Sequence, residues 1–177
     1  MALFLDRDGV INVRPPMDYV KKPSEWALLP GVAAALVQLS SMFDRIVVVT
    51  NQAGVGKGLM SEEDLAVIHQ LMLDQIGEAG GRIDAVYYCP HRREAACDCR
   101  KPATGMAMQA KIQFPDIDFS RSWMVGDSAS DMVFGQNLGM KTVLIAGKYE
   151  EAEILAEMQV DYRFDGLLDF VRFLRGC

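Results

Sequence analysis

The sequence predicts an α/β protein, a three-layer sandwich with helices on both faces of a mostly parallel sheet. Three observations carry that expectation. Short apolar runs alternate with longer amphipathic stretches from end to end, the pattern of successive βα units. The run Arg45-Ile46-Val47-Val48-Val49-Thr50 is β-branched and apolar without alternation, as in a strand covered on both faces. The chain has 177 residues, 50% of them hydrophobic and 24% charged, which suits one compact domain, taken as residues 1–177.

The elements follow in order. Ala2 to Leu5 reads as a buried strand ending at Asp6. Gly31 to Phe43 reads as a helix, with Val32, Leu36, Leu39 and Phe43 at helical spacing. After the second strand, Ser61 is placed to cap a long helix whose first turn holds Glu62, Glu63 and Asp64, acids that suit its positive end. Gly80-Gly81 stops that helix, and Asp84 to Cys89 is a third strand. Met106 to Phe114 is a helix, Ser122 to Gly126 a fourth strand, Asp131 to Leu138 a helix and Lys141 to Ile145 a fifth strand. Helices over Glu150 to Met158 and Leu167 to Leu174 flank a short strand near Tyr162. Two long irregular segments remain, Asn12 to Leu29 and Pro90 to Ala103, and their length marks them as functional loops.

Composition narrows the function. A net charge of −6 argues against a nucleic-acid partner, whose backbone calls for a basic surface. No run approaches the ~18 apolar residues of a membrane span. The N-terminus lacks the basic start and long apolar core of a signal peptide, so the expected location is the cytoplasm. In that reducing compartment clustered cysteines point to metal rather than disulfides. No coiled coil is evident, and a monomer is expected.

The chemistry begins at Asp6-Arg7-Asp8-Gly9. Asp6 and Asp8 are two apart at a strand end, so their side chains share one side. Two carboxylates this close need a cation or a proton between them. Mg²⁺, a hard ion that prefers oxygen, fits, with Asp127 after the fourth strand as a third carboxylate. Ligands of open α/β sheets bind beyond the carboxyl ends of the strands, which brings Asp6, Asp8, Thr50, Asn51 and Asp127 to one cleft. A carboxylate there can attack phosphorus while a second moves protons. Lys101 and Thr50 are candidates to hold the equatorial oxygens. Asp-x-Asp-Gly also occurs in acidic turns and calcium loops, but Val-Ile-Asn-Val-Arg-Pro-Pro after Gly9 lacks the further ligands of an EF-hand.

With Phe4-Leu5-Asp6-Arg7-Asp8-Gly9, Val48-Val49-Thr50-Asn51-Gln52, Cys99-Arg100-Lys101-Pro102 and Val125-Gly126-Asp127 in this order, the chain resembles the haloacid dehalogenase superfamily of phosphatases. Within it the match is to the group that contains the D-glycero-D-manno-heptose 1,7-bisphosphate and histidinol-phosphate phosphatases. The resemblance implies a Rossmann-like sheet and, with no long insertion after the first or third strand, a capless form. It implies Asp6 as nucleophile, Asp8 as general acid/base, and Thr50 and Lys101 on the phosphoryl group. Asp6, Asp8 (partly through backbone oxygen) and Asp127 would hold Mg²⁺. Arg100, Asn51, Gln52, Ala53 and Tyr19 would contact substrate, with Asp131 in support. Departures at Val10, at Lys57 and in Arg14-Pro15-Pro16-Met17-Asp18 bear on substrate preference.

Cys89-Pro90-His91 and Cys97-Asp98-Cys99 can complete a tetrahedral zinc site, with the loop at about 89–99. The group just named has a zinc loop with this signature. Four protein ligands make the expected zinc structural, ordering the chain before Arg100 and Lys101. Cys177 and His69 are assigned no role, and Gly54-x-Gly56-x-Gly58 is read as a substrate-side loop.

The expected activity is Mg²⁺-dependent hydrolysis of a small phosphomonoester through an aspartyl-phosphate, with the 7-phosphate of a heptose bisphosphate as first candidate. Histidinol phosphate is the alternative within the same chemistry. A polynucleotide 3′-phosphatase and a non-catalytic zinc-binding module stand further off.

Overall fold

The computed structural model describes residues 1–176, so Cys177 lies outside the described residues. Six strands form one sheet: β1 (Ala2–Leu5), β2 (Arg45–Asn51), β3 (Ala85–Cys89), β4 (Trp123–Gly126), β5 (Lys141–Ile145) and β6 (Tyr162–Phe164). Their order is β3-β2-β1-β4-β5-β6, and every neighbouring pair is parallel. The chain builds outward from β1 to β3, then returns to the far side of β1 with β4. That reversal puts the topological switch point between β1 and β4, where ligands of doubly wound sheets bind.

Seven helices flank the sheet among the described residues: α1 (Val32–Met42), α2 (Ala53–Gly56), α3 (Glu62–Glu78), α4 (Gly105–Gln113), α5 (Ala129–Asn137), α6 (Ala152–Glu157) and α7 (Leu167–Leu174). The period-2 alternation of β1 divides the core. Leu3 and Leu5 face one cluster with Leu36 and Leu39 of α1, Ile68 and Met72 of α3 and Phe170 of α7. Ala2 and Phe4 face the other, with Met106 and Ala110 of α4 and Phe134 of α5. Phe4 and Phe134 meet with ring centroids 6.5 Å apart. No helix among the described residues is long and apolar enough to cross a membrane.

Ser61 caps α3 as expected, in a reciprocal box with Asp64. The helix expected from Asp131 starts earlier, at Ala129, because Ser128 and Asp131 form a second capping box. Glu150 to Met158 divides into a 3₁₀ turn, Tyr149–Glu151, followed by α6. The one-turn α2 was not anticipated. Its Gly54 and Gly56 are poor helix formers, and tertiary bonds hold it, with the Gly56 N–H donating to Pro90 O at 2.9 Å.

Candidate active site

The carboxyl ends of β1, β2 and β4 define the floor of a cavity of about 760 Å³. The register Leu5↔Val48 and Leu5↔Val125 brings the next residues of each strand to one level. The Asp6 N–H donates to Val125 O at 2.9 Å, tying the first turn after β1 to β4. Asp6 is 7% exposed and Asp127 3%. Gly9 permits their approach. Its φ is +93°, and a Cβ there would lie 2.1 Å from Asp127 Oδ2.

Carboxylate oxygens of Asp6, Asp127 and Asp131 lie within 4.8 Å of one another. Asp131 joins Asp6 and Asp127 here, while the part expected of Asp8, partly through its backbone oxygen, does not call on its carboxylate. The Asp8 carboxylate is drawn aside by four hydrogen bonds. Arg7 Nη2 donates to both its oxygens at 2.9 Å, Asn12 Nδ2 to Oδ1 at 2.9 Å and Gln52 Nε2 to Oδ2 at 2.7 Å. Asp8 still lines the cavity.

Lys101 is 3% exposed and stands among the acids. Its Nζ lies 2.7 Å from Asp6 Oδ1, 2.6 Å from Asp131 Oδ1 and 2.6 Å from Val49 O. Asn51 holds this lysine by its peptide, donating to Lys101 O at 3.1 Å and accepting from Lys101 N at 3.0 Å. Burial alone would lower the lysine pKa, but Asp131 and Asp6 raise it, so the ammonium stays charged. Burial pushes the Asp6 carboxyl up to about 6, with Lys101 pulling the other way. Burial and the charges of Asp6 and Asp131 push Asp127 to about 8. Burial would also raise Asp8, but Arg7 and the hydrogen bonds from Asn12 and Gln52 hold it below its ordinary value.

Asp127 Oδ1 is buried without a hydrogen-bond partner, and the nearest cations, Lys148 at 4.0 Å from Oδ1 and Arg14 at 3.7 Å from Oδ2, do not close on it. An unsatisfied carboxylate oxygen beside two further carboxylates is an all-oxygen donor set, which fits a hard divalent cation such as Mg²⁺.

Thr50 is buried, its Oγ1 accepting from Gln52 Nε2 at 2.9 Å, and it lines the cavity with Asn51. Arg100 and Tyr19 line it too, joined by Lys57, whose Nζ donates to the Tyr19 hydroxyl at 3.1 Å. Gln52 and Ala53, expected to face substrate, are buried at 0% and 4% exposure and are not among the lining residues. The Gln52 amide turns inward because Asp8 and Thr50 offer it acceptors.

Sequence reasoning passed over Arg7, Asn12 and His69, all buried beneath Asp8. A signal for two of them was present. Extended alternation points Arg7 away from Asp6 and Asp8, toward the core, and a core-facing arginine demands a partner. His69 sits on the stripe Leu65, Ile68, Met72, Ile76 that α3 buries.

The sulfur cluster lies on the loop after β3. Cys89, Cys97 and Cys99 are free thiols with Sγ atoms 3.1 to 3.5 Å apart, and His91 Nδ1 is 3.2 Å from Cys99 Sγ and 3.6 Å from Cys89 Sγ. Four such donors converging on a point suit tetrahedral zinc and leave no position open. The loop is stitched to its neighbours by Arg92 Nε donating to Gly56 O at 2.6 Å and by Gly105 N donating to Asp98 O at 2.8 Å.

A family model described as HAD-hydrolase-like matches residues 98–170. The chain is 38% identical to the D-glycero-beta-D-manno-heptose-1,7-bisphosphate 7-phosphatase of Rhodopseudomonas palustris, covering 89% of this chain and 92% of that protein. It is 46% identical to the D-glycero-alpha-D-manno-heptose-1,7-bisphosphate 7-phosphatase of Mycobacterium tuberculosis, over 77% of this chain and 72% of the other. Among solved structures, D,D-heptose 1,7-bisphosphate phosphatase from B. bronchiseptica, complexed with magnesium and phosphate, superposes with a TM-score of 0.89 at 31% identity, covering 99% of this chain and 98% of that one.

Proposed function

The chain belongs to the haloacid dehalogenase-like hydrolases, and on that premise we propose that it removes the 7-phosphate of D-glycero-D-manno-heptose 1,7-bisphosphate with Asp6 as nucleophile. The observation that carries the reading is the placement of Asp6. It stands at the end of β1 on the cavity floor, with Oδ1 2.7 Å from a buried lysine and Asp127 and Asp131 beside it. Relatives named for this reaction, at 33% to 46% identity, support the substrate. So do the cations around the cavity, where Arg14, Lys57, Arg93, Arg100 and Lys148 offer a site for a second phosphate.

In this reading Thr50 and Lys101 hold the phosphoryl oxygens. An Asp6 oxygen attacks phosphorus, the bond from phosphorus to the sugar oxygen breaks, and Asp8 gives that oxygen its proton. Asp8, now ionised, takes a proton from water as the water attacks the acyl phosphate, which releases inorganic phosphate and restores Asp6. Asp6, Asp127 and the backbone oxygen of Asp8 would hold Mg²⁺, with Asp131 close by. When bound, the ion offsets the repulsion between carboxylate and phosphate. Asp8 rests ionised, and a phosphate dianion arriving beside it raises its pKa, so substrate helps load the proton.

Zinc on Cys89, His91, Cys97 and Cys99 is proposed as structural, with the whole chain acting as one domain and as a monomer on a small sugar phosphate. The test is phosphate release from both anomers of heptose 1,7-bisphosphate and from histidinol phosphate, with Mg²⁺ and with the ion removed. Mg²⁺-dependent release from a bisphosphate, faster than from histidinol phosphate, is expected. Preference for histidinol phosphate would overturn the substrate, and the favoured anomer decides between the activities of the α- and β-named relatives.

A further inference from the structure

A second buried polar assembly shares no hydrogen bond with the carboxylate trio or the sulfur cluster. Arg7 is fully buried. Its Nη2 spans both oxygens of Asp8 at 2.9 Å, and its Nη1 lies 3.1 Å from His69 Nε2 on α3. Trp26 stands 5.9 Å from the guanidinium carbon, and its indole N–H donates to Gln75 Oε1, also on α3, at 2.9 Å. One helix therefore grips Arg7 from two sides, once directly and once through an indole.

The direction of the histidine bond follows from chemistry. An arginine has donors only, so His69 Nε2 accepts and the ring proton sits on Nδ1. A charged imidazole would set two cations against each other in the core. Accordingly burial, with Arg7 adding to it, depresses the His69 pKa to about 3. A leucine or methionine would pack on this stripe of α3 with less polar cost. What an imidazole adds is an acceptor for Nη1, which does not reach Asp8; Nε stays without a partner, so the loss of this bond would leave two of the three guanidinium nitrogens unpaired.

We propose that His69 is a positioning residue for catalysis, fixing Arg7 so that Arg7 holds the Asp8 carboxyl in the orientation from which it gives and then takes a proton. The inference rests on the phosphatase reading above and extends it to a residue 61 positions from Asp8, outside every strand-end motif. Without the acceptor, Arg7 Nη1 is left unpaired in the core and the guanidinium turns to find another partner. Asp8 then keeps Asn12 and Gln52 but loses the group that spans both its oxygens. Asp6 and Lys101 share no hydrogen bond with Arg7 or His69 and keep their own partners.

The experiment compares wild type, His69→Leu and His69→Gln with two substrates, heptose 1,7-bisphosphate and p-nitrophenyl phosphate. A sugar alkoxide needs a proton as it leaves, whereas p-nitrophenolate leaves without one. His69→Leu is expected to lower kcat on the sugar phosphate about tenfold or more, within the roughly 10²–10⁴-fold that a general acid contributes. KM should stay within about twofold, because no substrate contact is lost. The first-turnover burst of p-nitrophenolate should stay near wild type. His69→Gln, whose amide oxygen accepts, is expected to restore most of the sugar-phosphate rate. Gln75→Met unties only the indole and is the milder variant if His69→Leu fails to fold. It should give the same split on a smaller scale. A parallel loss of burst and sugar turnover, unchanged rates in His69→Leu, or a folded His69→Gln as slow as His69→Leu would each overturn the role. A wild-type protein that hydrolyses neither ester would instead remove the phosphatase reading on which it rests.

Discussion

Two groups of candidate metal ligands sit within one loop's reach of each other, and they are built in opposite ways. The carboxylates of Asp6, Asp127 and Asp131 are buried at the ends of β1 and β4 and the start of α5, with Lys101 already among them. The thiols and imidazole of Cys89, His91, Cys97 and Cys99 lie on an irregular segment where only Cys89, the last residue of β3, is buried. The oxygen rim is shaped by the strand ends, and burial with mutual repulsion raises the Asp6 and Asp127 carboxyls above their ordinary range. The sulfur loop has a single 3₁₀ turn, Arg93–Ala95, as regular structure, so the zinc proposed there would supply much of its order. On the proposed reading, one cluster would use stability for chemistry and the other a metal for stability.

The contrast breaks first at Asp6. Asp6→Asn should lower kcat by at least about 10³-fold, as expected when a covalent nucleophile is lost. Because a charge leaves a crowded cluster, the melting temperature should hold or rise. A variant that keeps wild-type turnover would remove the nucleophile. Lys101→Met comes next. It strips the partner from buried Asp6 and Asp131, so stability in urea should fall by about 3–5 kcal/mol, the usual cost of breaking a buried pair. Turnover should fall by about 10²-fold with the lost phosphoryl contact.

The sulfur loop should answer differently. Stripping zinc, or Cys97→Ser, should lower the melting temperature and cost several-fold in activity by loosening the chain before Arg100. Metal analysis of the purified protein should find about one zinc per chain. Verified zinc removal with unchanged melting and turnover would break the comparison on this side.

The last test is a pH dependence beneath the rim. Above pH 6.5 His69 is neutral in both folded and unfolded chains. As pH falls below 6.5 the unfolded chain takes up a proton that the folded imidazole refuses until about 3. Stability should therefore drop through that window. His69→Gln should flatten the drop relative to wild type, read as the difference between their urea midpoints from pH 7 to pH 4.

Local signals carried much of this architecture. The non-alternating run of β2 marked a strand covered on both faces, and helical spacing in α1 marked its core side. Asp6 and Asp127 were legible because each follows an apolar strand directly. Gln52 was misjudged because its direction depends on acceptors at Asp8 and Thr50, which sequence spacing does not reveal. The one-turn α2 was missed because its glycines speak against a helix and contacts from outside it, with Cys89, Pro90 and Arg92, help hold it.

The sequence by itself determined the strand and helix periods and the superfamily, since these depend on residue type and short spacing. Tertiary structure decided which groups stand opposite one another. It brought the Asp131 carboxylate beside Asp6 and Asp127, set Lys101 against Asp6 across 95 positions, and placed a histidine behind Arg7 across 62. The physical reason is that a buried charge takes whichever partner the packed core presents, and that partner is fixed by strand order and helix docking rather than by proximity along the chain.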